Sequence, residues 1–257
     1  MSLQNWAGHT AIVTGGASGL GAATAEQLTA DGLKIALFDL NEEAGRAHAD
    51  KIGGRFVKVD VSDSASVAEG IADVQNALGS LRILVNCAGI GGAAKTVSRG
   101  APHDPGLFEK TLRVNLMGSF NCASQAAAQM CAAEPTAPDG ARGVIVNTAS
   151  VAAFDGQVGQ LAYSASKGGI VGMTLPMARD LADKGIRVCT IAPGLFLTPL
   201  LDELPQEVQY SLGAQVPFPS RLGDPTEYAA MVSHITQNSM LNGETIRLDG
   251  AIRMAPR

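Results

Sequence analysis

An α/β fold, a single doubly wound parallel sheet of about seven strands with helices on both faces, is what this 257-residue sequence predicts. Three observations predict it. Short apolar, β-branched runs alternate with longer stretches of helical periodicity. Those runs are apolar throughout, as strands buried on both faces must be. The chain also carries 30 glycines, a density suited to many tight strand-to-helix turns. Right-handed crossovers then wind the sheet doubly and put ligands at the carboxyl ends of the strands.

The strand candidates are TAIVTG (10–15), KIALFDL (34–40), RFVKVDV (55–61), RILVNCAG (82–89), GVIVNTAS (143–150), IRVCTIAPG (186–194) and ETIRLDG (244–250). Helical periodicity fills 20–31, 42–52, 64–78, 107–131, 160–182 and 225–237. No linker or internal repeat divides the chain, so residues 1–257 read as one domain. Three segments break the pattern, at 91–106, 133–142 and 195–222. The first and third follow strand ends on the ligand side, where long loops serve as substrate lids.

Composition narrows the function classes. Hydrophobic residues make up 46% and charged residues 17%, a globular balance. A net charge of −5 offers no electrostatic reason to expect a nucleic-acid partner. Cys87, Cys122, Cys131 and Cys189 lack metal-ligand or disulfide-framework spacing, and the four histidines are equally dispersed, so no metal is expected. No apolar run is long enough to span a membrane, and the first residues do not read as a secretion signal. A cytoplasmic protein is the expectation.

The turn after the first strand carries Gly15, Gly19 and Gly21, spaced G-x-x-x-G-x-G. Glycines there let backbone N–H groups approach a pyrophosphate at the positive end of a helix. Asp39 ends the second strand, 18 residues past Gly21. A carboxylate in that place hydrogen-bonds both ribose hydroxyls and repels a 2′-phosphate, favouring NAD over NADP; Asn41 is left to cap the next helix. Asp60 ends the third strand, either to accept from an adenine amino group or to serve the turn.

Tyr163 and Lys167 stand four apart in YSASK, on one face of a helix. A phenol that ionises near pH ~10 is a poor base at neutrality. An ammonium ~4 Å away, at an effective dielectric of about 20, favours phenolate by about 4 kcal/mol, or ~3 pKa units before desolvation opposes it. Alone, such a pair is an ordinary helix-face pair. With the glycine turn, and with Ser150 at a strand end to hold a substrate oxygen against the phenol, it becomes a candidate acid–base centre.

TGGASGLG (14–21), Asp60-Val61, NCAG (86–89), Asn115, Ser150, YSASK (163–167) and PG (193–194) together resemble the short-chain dehydrogenase/reductase superfamily, over essentially the whole chain. Within it, NTASVAAFDGQVGQ, AYSASKGGIVGMTLPMARDLA, QVPFPSRLGDP and the C-terminal LDGAIRM resemble the type 2 3-hydroxyacyl-CoA dehydrogenase group, closely in the C-terminal half and more loosely before residue 80 and in both loops. The resemblance implies a Rossmann-type homotetramer, NAD as cofactor, and reversible hydride transfer at C3 of a short or branched 3-hydroxyacyl-CoA in fatty acid metabolism. Tyr163 would be the acid–base, Lys167 would lower its pKa and hold the nicotinamide ribose, Ser150 would orient the substrate oxygen, and Asn115 would anchor a relay water. Gly15, Ser18, Gly19, Leu20, Gly21, Asp39, Asp60, Val61, Cys87, Gly89, Pro193, Phe196 and Thr198, with Tyr163 and Lys167, match cofactor contacts. Cys87 would contribute backbone and bulk.

Gln157 and Gln160 lie between Ser150 and Tyr163, at the expected substrate wall, either to touch the acyl thioester or to form an exposed turn. Lys95, Arg99 and Arg221 are the basic residues of the loops that could meet CoA phosphates. Leu195, Phe196, Leu197, Leu200, Leu201 and Leu204 suit an acyl chain or a steroid. The same tetrad would serve a hydroxysteroid or other secondary-alcohol dehydrogenase, and a non-catalytic NAD-binding scaffold is the reading from outside enzymes.

Overall fold

In a computed structural model, which describes residues 4–136, 139–202 and 205–256, seven parallel strands form one sheet in the order β3-β2-β1-β4-β7-β8-β9. The chain runs β1 (Thr10–Thr14), α1 (Gly19–Ala30), β2 (Lys34–Asp39), α2 (Glu42–Ile52), β3 (Arg55–Lys58), α3 (Ser64–Leu78) and β4 (Leu81–Asn86). A small hairpin, β5 (Val97–Ser98) and β6 (Ala101–Pro102), precedes α4 (Pro105–Leu112), a π-helical turn (Arg113–Met117) and α5 (Gly118–Cys131). Then come β7 (Gly143–Thr148), α6 (Leu161–Asp180), β8 (Ile186–Pro193), α7 (Pro199–Asp202), α8 (Gln206–Gly213), α9 (Pro225–Gln237) and β9 (Thr245–Leu248).

The two-faced burial of the strands explains why they are apolar throughout. Ala11, Val13, Ile83, Val85, Val144 and Val146 pack on one face with Leu28 of α1 and Tyr228, Val232 and Ile235 of α9. Their neighbours Ile12, Leu84 and Ile145 point the other way, against Val67, Ile71 and Val74 of α3 and Ala123, Ala126 and Met130 of α5. Successive side chains of a strand alternate faces, so a strand covered on both sides needs every position apolar.

Helix starts follow their caps. Asn41 accepts from the Ala44 N–H, Asp63 from Ala65, and Asp104 from Gly106 ahead of α4. Asp224 and Glu227 form a reciprocal capping box at α9, with Pro225 in the first turn. Strand order reverses between β1 and β4, and the crevice at their carboxyl ends is where such a sheet takes its ligand.

Two expectations gain detail. The stretch 107–131 is helical throughout, running from α4 through a π turn at Arg113–Met117 into α5, and Asn115 sits in that turn. The segments 91–106 and 195–222, which break the strand–helix alternation, carry short elements of their own. The first holds the hairpin, turning through Arg99 (φ 51°) and Gly100 (φ 80°), a pair of positive φ values that matches the right-handed twist of the strands. The second holds α7 and α8. Short elements of this kind carry too few periodic positions to register as a pattern.

Candidate active site

A cleft of about 880 Å³ opens at the carboxyl ends of β1, β2, β4 and β7, floored by the glycine turn. Gly15 has φ 63°, and a methyl group there would come within 2.9 Å of the Ala88 backbone; one at Gly21 would fall on the Gly15 carbonyl. The turn therefore closes backbone on backbone, which only glycine permits. Ser18 caps α1 with no side-chain bond to the helix, and it lines the cleft beside Gly19, Leu20 and Gly21. Thr14 Oγ1 accepts from the N–H groups of Cys87 (3.1 Å) and Ala88 (3.0 Å), tying the end of β4 to β1. A glycine cradle at the start of a helix is a surface on which a pyrophosphate fits.

Asp39 lines the same cleft. One of its oxygens accepts from the Ala17 N–H at 3.1 Å and the other from Asn41 at 3.0 Å, so the carboxylate is fastened to the glycine turn while Asn41 caps α2. Asp60 and Val61 also line it. Asp60 Oδ1 accepts from both the backbone and the hydroxyl of Ser62, so turn chemistry engages this carboxylate as well. Asp63 is the residue that caps α3.

At the opposite end, Tyr163 and Lys167 reach the cleft from α6. Lys167 is buried, and Nζ donates to the Thr148 carbonyl at 2.8 Å. Loss of hydration brings its pKa down to about 8. Ser150 Oγ accepts from the Ala152 N–H at 3.1 Å. The expected electrostatics are corrected here. Burial raises the phenol above its ordinary value, and the group that opposes this is Ser150, not the lysine. Lys167 Nζ lies 5.6 Å from the centre of the tyrosine ring, its charge directed at Thr148. Desolvation of both groups outweighs their helix spacing.

Asn115 is fully buried. Its Oδ1 accepts from the Ile90 N–H at 2.8 Å, while Nδ2 donates to the Ile90 carbonyl and to Ser166 Oγ, each at 3.0 Å. Ser166 in turn donates to the Tyr163 carbonyl at 2.7 Å. The amide is thus committed to joining residue 90 to α6, and a water anchored by this residue would need its main chain. The π turn that carries Asn115 makes that junction, and such turns recur at functional sites.

Cys87, Gly89, Gln160, Pro193 and Thr198 also line the cleft. Burial pushes the Cys87 thiol up, which leaves it as packing. Other candidates lie elsewhere. Gln157 Nε2 donates to the Ala255 carbonyl at 2.9 Å, near the chain end. Phe196 and Leu195 line a separate hollow of about 130 Å³, so these two members of the apolar set turn from the cleft. Arg221 pairs with Glu227 at 2.7 Å and holds that carboxyl down at about 2, so it is not free for a phosphate. Lys95 and Arg99 stand exposed on or beside the hairpin. Leu204 lies outside the described residues.

Sequence reasoning missed Thr148, Tyr228 and Lys110. Thr148 lines the cleft, supplies the carbonyl that holds Lys167, and places Oγ1 2.7 Å from the fully buried Tyr228 hydroxyl. Its position two before Ser150 on the same strand end was the available signal. Lys110 lines the cleft from α4, and nothing in its local pattern separates it from a solvated helix charge. Among the described residues no group of three or more His, Cys, Asp or Glu is placed to hold a metal ion.

Comparison with known proteins places this geometry. Residues 9–209 match the family model for short chain dehydrogenases. The chain is 56% identical over 253 residues to the human protein named 3-hydroxyacyl-CoA dehydrogenase type-2, covering 97% of each. It is 51% identical over 249 residues to the Drosophila melanogaster protein of the same name, covering 95% of this chain and 97% of that one. The crystal structure of 3-hydroxyacyl-CoA dehydrogenase type-2 from Mycobacterium avium superposes with a TM-score of 0.94 at 45% identity, over 97% of this chain and 98% of that one.

Proposed function

The chain belongs to the short-chain dehydrogenase family, and from that premise we propose that it oxidises the C3 hydroxyl of short or branched 3-hydroxyacyl-CoA thioesters reversibly, with NAD as cofactor. The observation that carries the reading is the placement of the Tyr163 phenol and buried Lys167 in one cleft with the glycine cradle. The cradle fits a dinucleotide: Gly15, Gly19 and Gly21 leave no side chain between backbone and pyrophosphate, Ser18 offers its hydroxyl, and Asp39 suits an unphosphorylated ribose. Asp60, Val61, Cys87, Gly89, Pro193 and Thr198 complete that wall. When bound, NAD supplies the hydride acceptor.

The protein's own groups handle the proton. Tyr163 takes it from the substrate hydroxyl during oxidation and returns it during reduction, while Ser150 holds the same oxygen in place. Lys167 holds the ribose, its ammonium oriented by Thr148. Burial keeps the free phenol protonated at neutrality, so reduction finds its acid ready, and oxidation gains as pH rises toward the phenol's pKa. The homotetramer and cytoplasmic location expected of the sequence belong to the same reading.

The test is NADH formation from L-3-hydroxybutyryl-CoA and its 2-methyl analogue, repeated with NADP and with Tyr163→Phe. Turnover with NAD, a strong loss with NADP, and a fall of ~10²–10⁴-fold in the variant are expected, the range for removing a general acid–base. Clear NADH binding without turnover would sink the acyl-CoA assignment and redirect the search to steroids and other secondary alcohols.

A further inference from the structure

The segment between Ser150 and Tyr163 forms a wall of the cleft through Gln160, and the end of the chain is fastened to that segment. The Val158 N–H donates to the Pro256 carbonyl at 3.0 Å, and Gln157 Nε2 donates to the Ala255 carbonyl at 2.9 Å. Upstream of this clamp, Arg247 of β9, its side chain 20% exposed, donates to Asp155 Oδ2 at 2.6 Å, to Asp249 Oδ2 at 2.7 Å and to the Ile252 carbonyl at 2.9 Å. Its guanidinium lies 5.3 Å over the Phe154 ring. From the other side, the Ala94 N–H donates to the Gly159 carbonyl at 2.8 Å. The wall is therefore held between the first loop and the chain end.

One further bond connects this clamp to the cleft. The Gln157 N–H donates to Gln160 Oε1 at 2.9 Å. A backbone donor needs an acceptor, so this bond also settles which end of the Gln160 amide is oxygen. With Oε1 engaged, Gln160 offers a ligand its Nε2, a donor suited to a thioester or ketone oxygen.

We infer that residues 255 and 256 are a strap that orients Gln160 through Gln157, and so governs affinity for the acyl part of the substrate. Gln157 is a positioning residue that acts from outside the cleft, and Arg247 anchors the base of the strap. The inference rests on the dehydrogenase reading of the cleft, in which Gln160 faces substrate. It also gives a role to Ala255 and Pro256, which hydrogen-bond to residues 157 and 158 of their own chain.

The experiment compares the full chain with a form lacking residues 255–257, with Gln157→Leu, and with the two combined. KM for 3-hydroxybutyryl-CoA, KM for NAD, kcat and amide hydrogen exchange over residues 157–161 are measured for each. Each single change is expected to raise the acyl-CoA KM three- to tenfold and speed exchange at Val158, with kcat and the NAD KM within twofold. The combined form should be no worse than the shortened chain alone, because both changes release one contact. An unchanged acyl-CoA KM or unchanged exchange would overturn the strap, as would an equal rise in the KM for NAD, which marks general loosening. A full additional loss from Gln157→Leu in the shortened chain would show direct substrate contact instead. If the shortened chain does not fold, Gln157→Leu and Arg247→Met in the full chain decide by the same readouts. If the parent turns over no acyl-CoA, the proposed substrate fails, while exchange at 157–161 still judges the strap.

Discussion

On the side of the cleft built from β1, β2 and the end of β4, a methyl group added at Gly15 or Gly21 would strike backbone; on the side built from the 91–106 loop, one added at Gly91 meets nothing within 4 Å. The first side is main chain against main chain, locked by Thr14 to residues 87 and 88 and by Asp39 to Ala17. The second is side chains and a two-residue-stranded hairpin, joined to the wall at Ala94 and braced by the chain end. The contrast assigns different work to each. A ligand part that never varies can be met by backbone, whose positions tolerate no added atoms, whereas a part that varies is met by loops.

The largest effect should come from the crowded side. Gly21→Ala is expected to lower NADH affinity at least 100-fold by displacing the Gly15 carbonyl, while Gly91→Ala leaves it within twofold. Fluorescence titration of both variants reads this directly, and equal losses would break the comparison.

Lys167, where the two sides meet, gives a pH-dependent effect. Its folded pKa is lowered to about 8 from 10.5, so between those values the unfolded chain binds more protons than the native one. Stability relative to Lys167→Met then rises with pH. From pH 7 to pH 9.5 the gain should be about 2 kcal/mol, the full burden of the buried ammonium being present below pH ~8. Urea unfolding of both proteins at the two pH values measures it. A flat difference would mean that the ammonium is better solvated than its burial implies.

The smallest effect belongs to the exposed hairpin. Replacing Lys95 and Arg99 by alanine should raise the KM for an acyl-CoA two- to threefold at low salt, and the difference should vanish near ~0.5 M salt, as for screened surface charges. A salt-insensitive loss would place these residues in closer contact with substrate than their exposure allows.

Much of this was legible without coordinates because it is local. Apolar strands at regular intervals, the cap at Asn41, and the glycine spacing each need only neighbours in the chain, and they specify a doubly wound sheet with a ligand at its carboxyl edge. The positions of Tyr163, Lys167, Ser150 and Asp39 at that edge follow from which element each one ends or begins. How those groups share their hydrogen bonds does not follow, because the partners are remote in sequence. Spacing along α6 pairs Lys167 with Tyr163, yet the ammonium is aimed at Thr148, 19 residues away, and burial sets both pKa directions. Asn115 reads as a water anchor; Ile90 and Ser166 occupy its amide, so that role would fall to its main chain. Gln157 reads equally as a substrate contact or an exposed turn; Ala255, 98 residues on, takes its side chain. Local sequence determines which elements form and which residues reach the cleft. Desolvation and competition for hydrogen bonds exist only once distant segments are packed together, and they decide what each of those residues is left free to do.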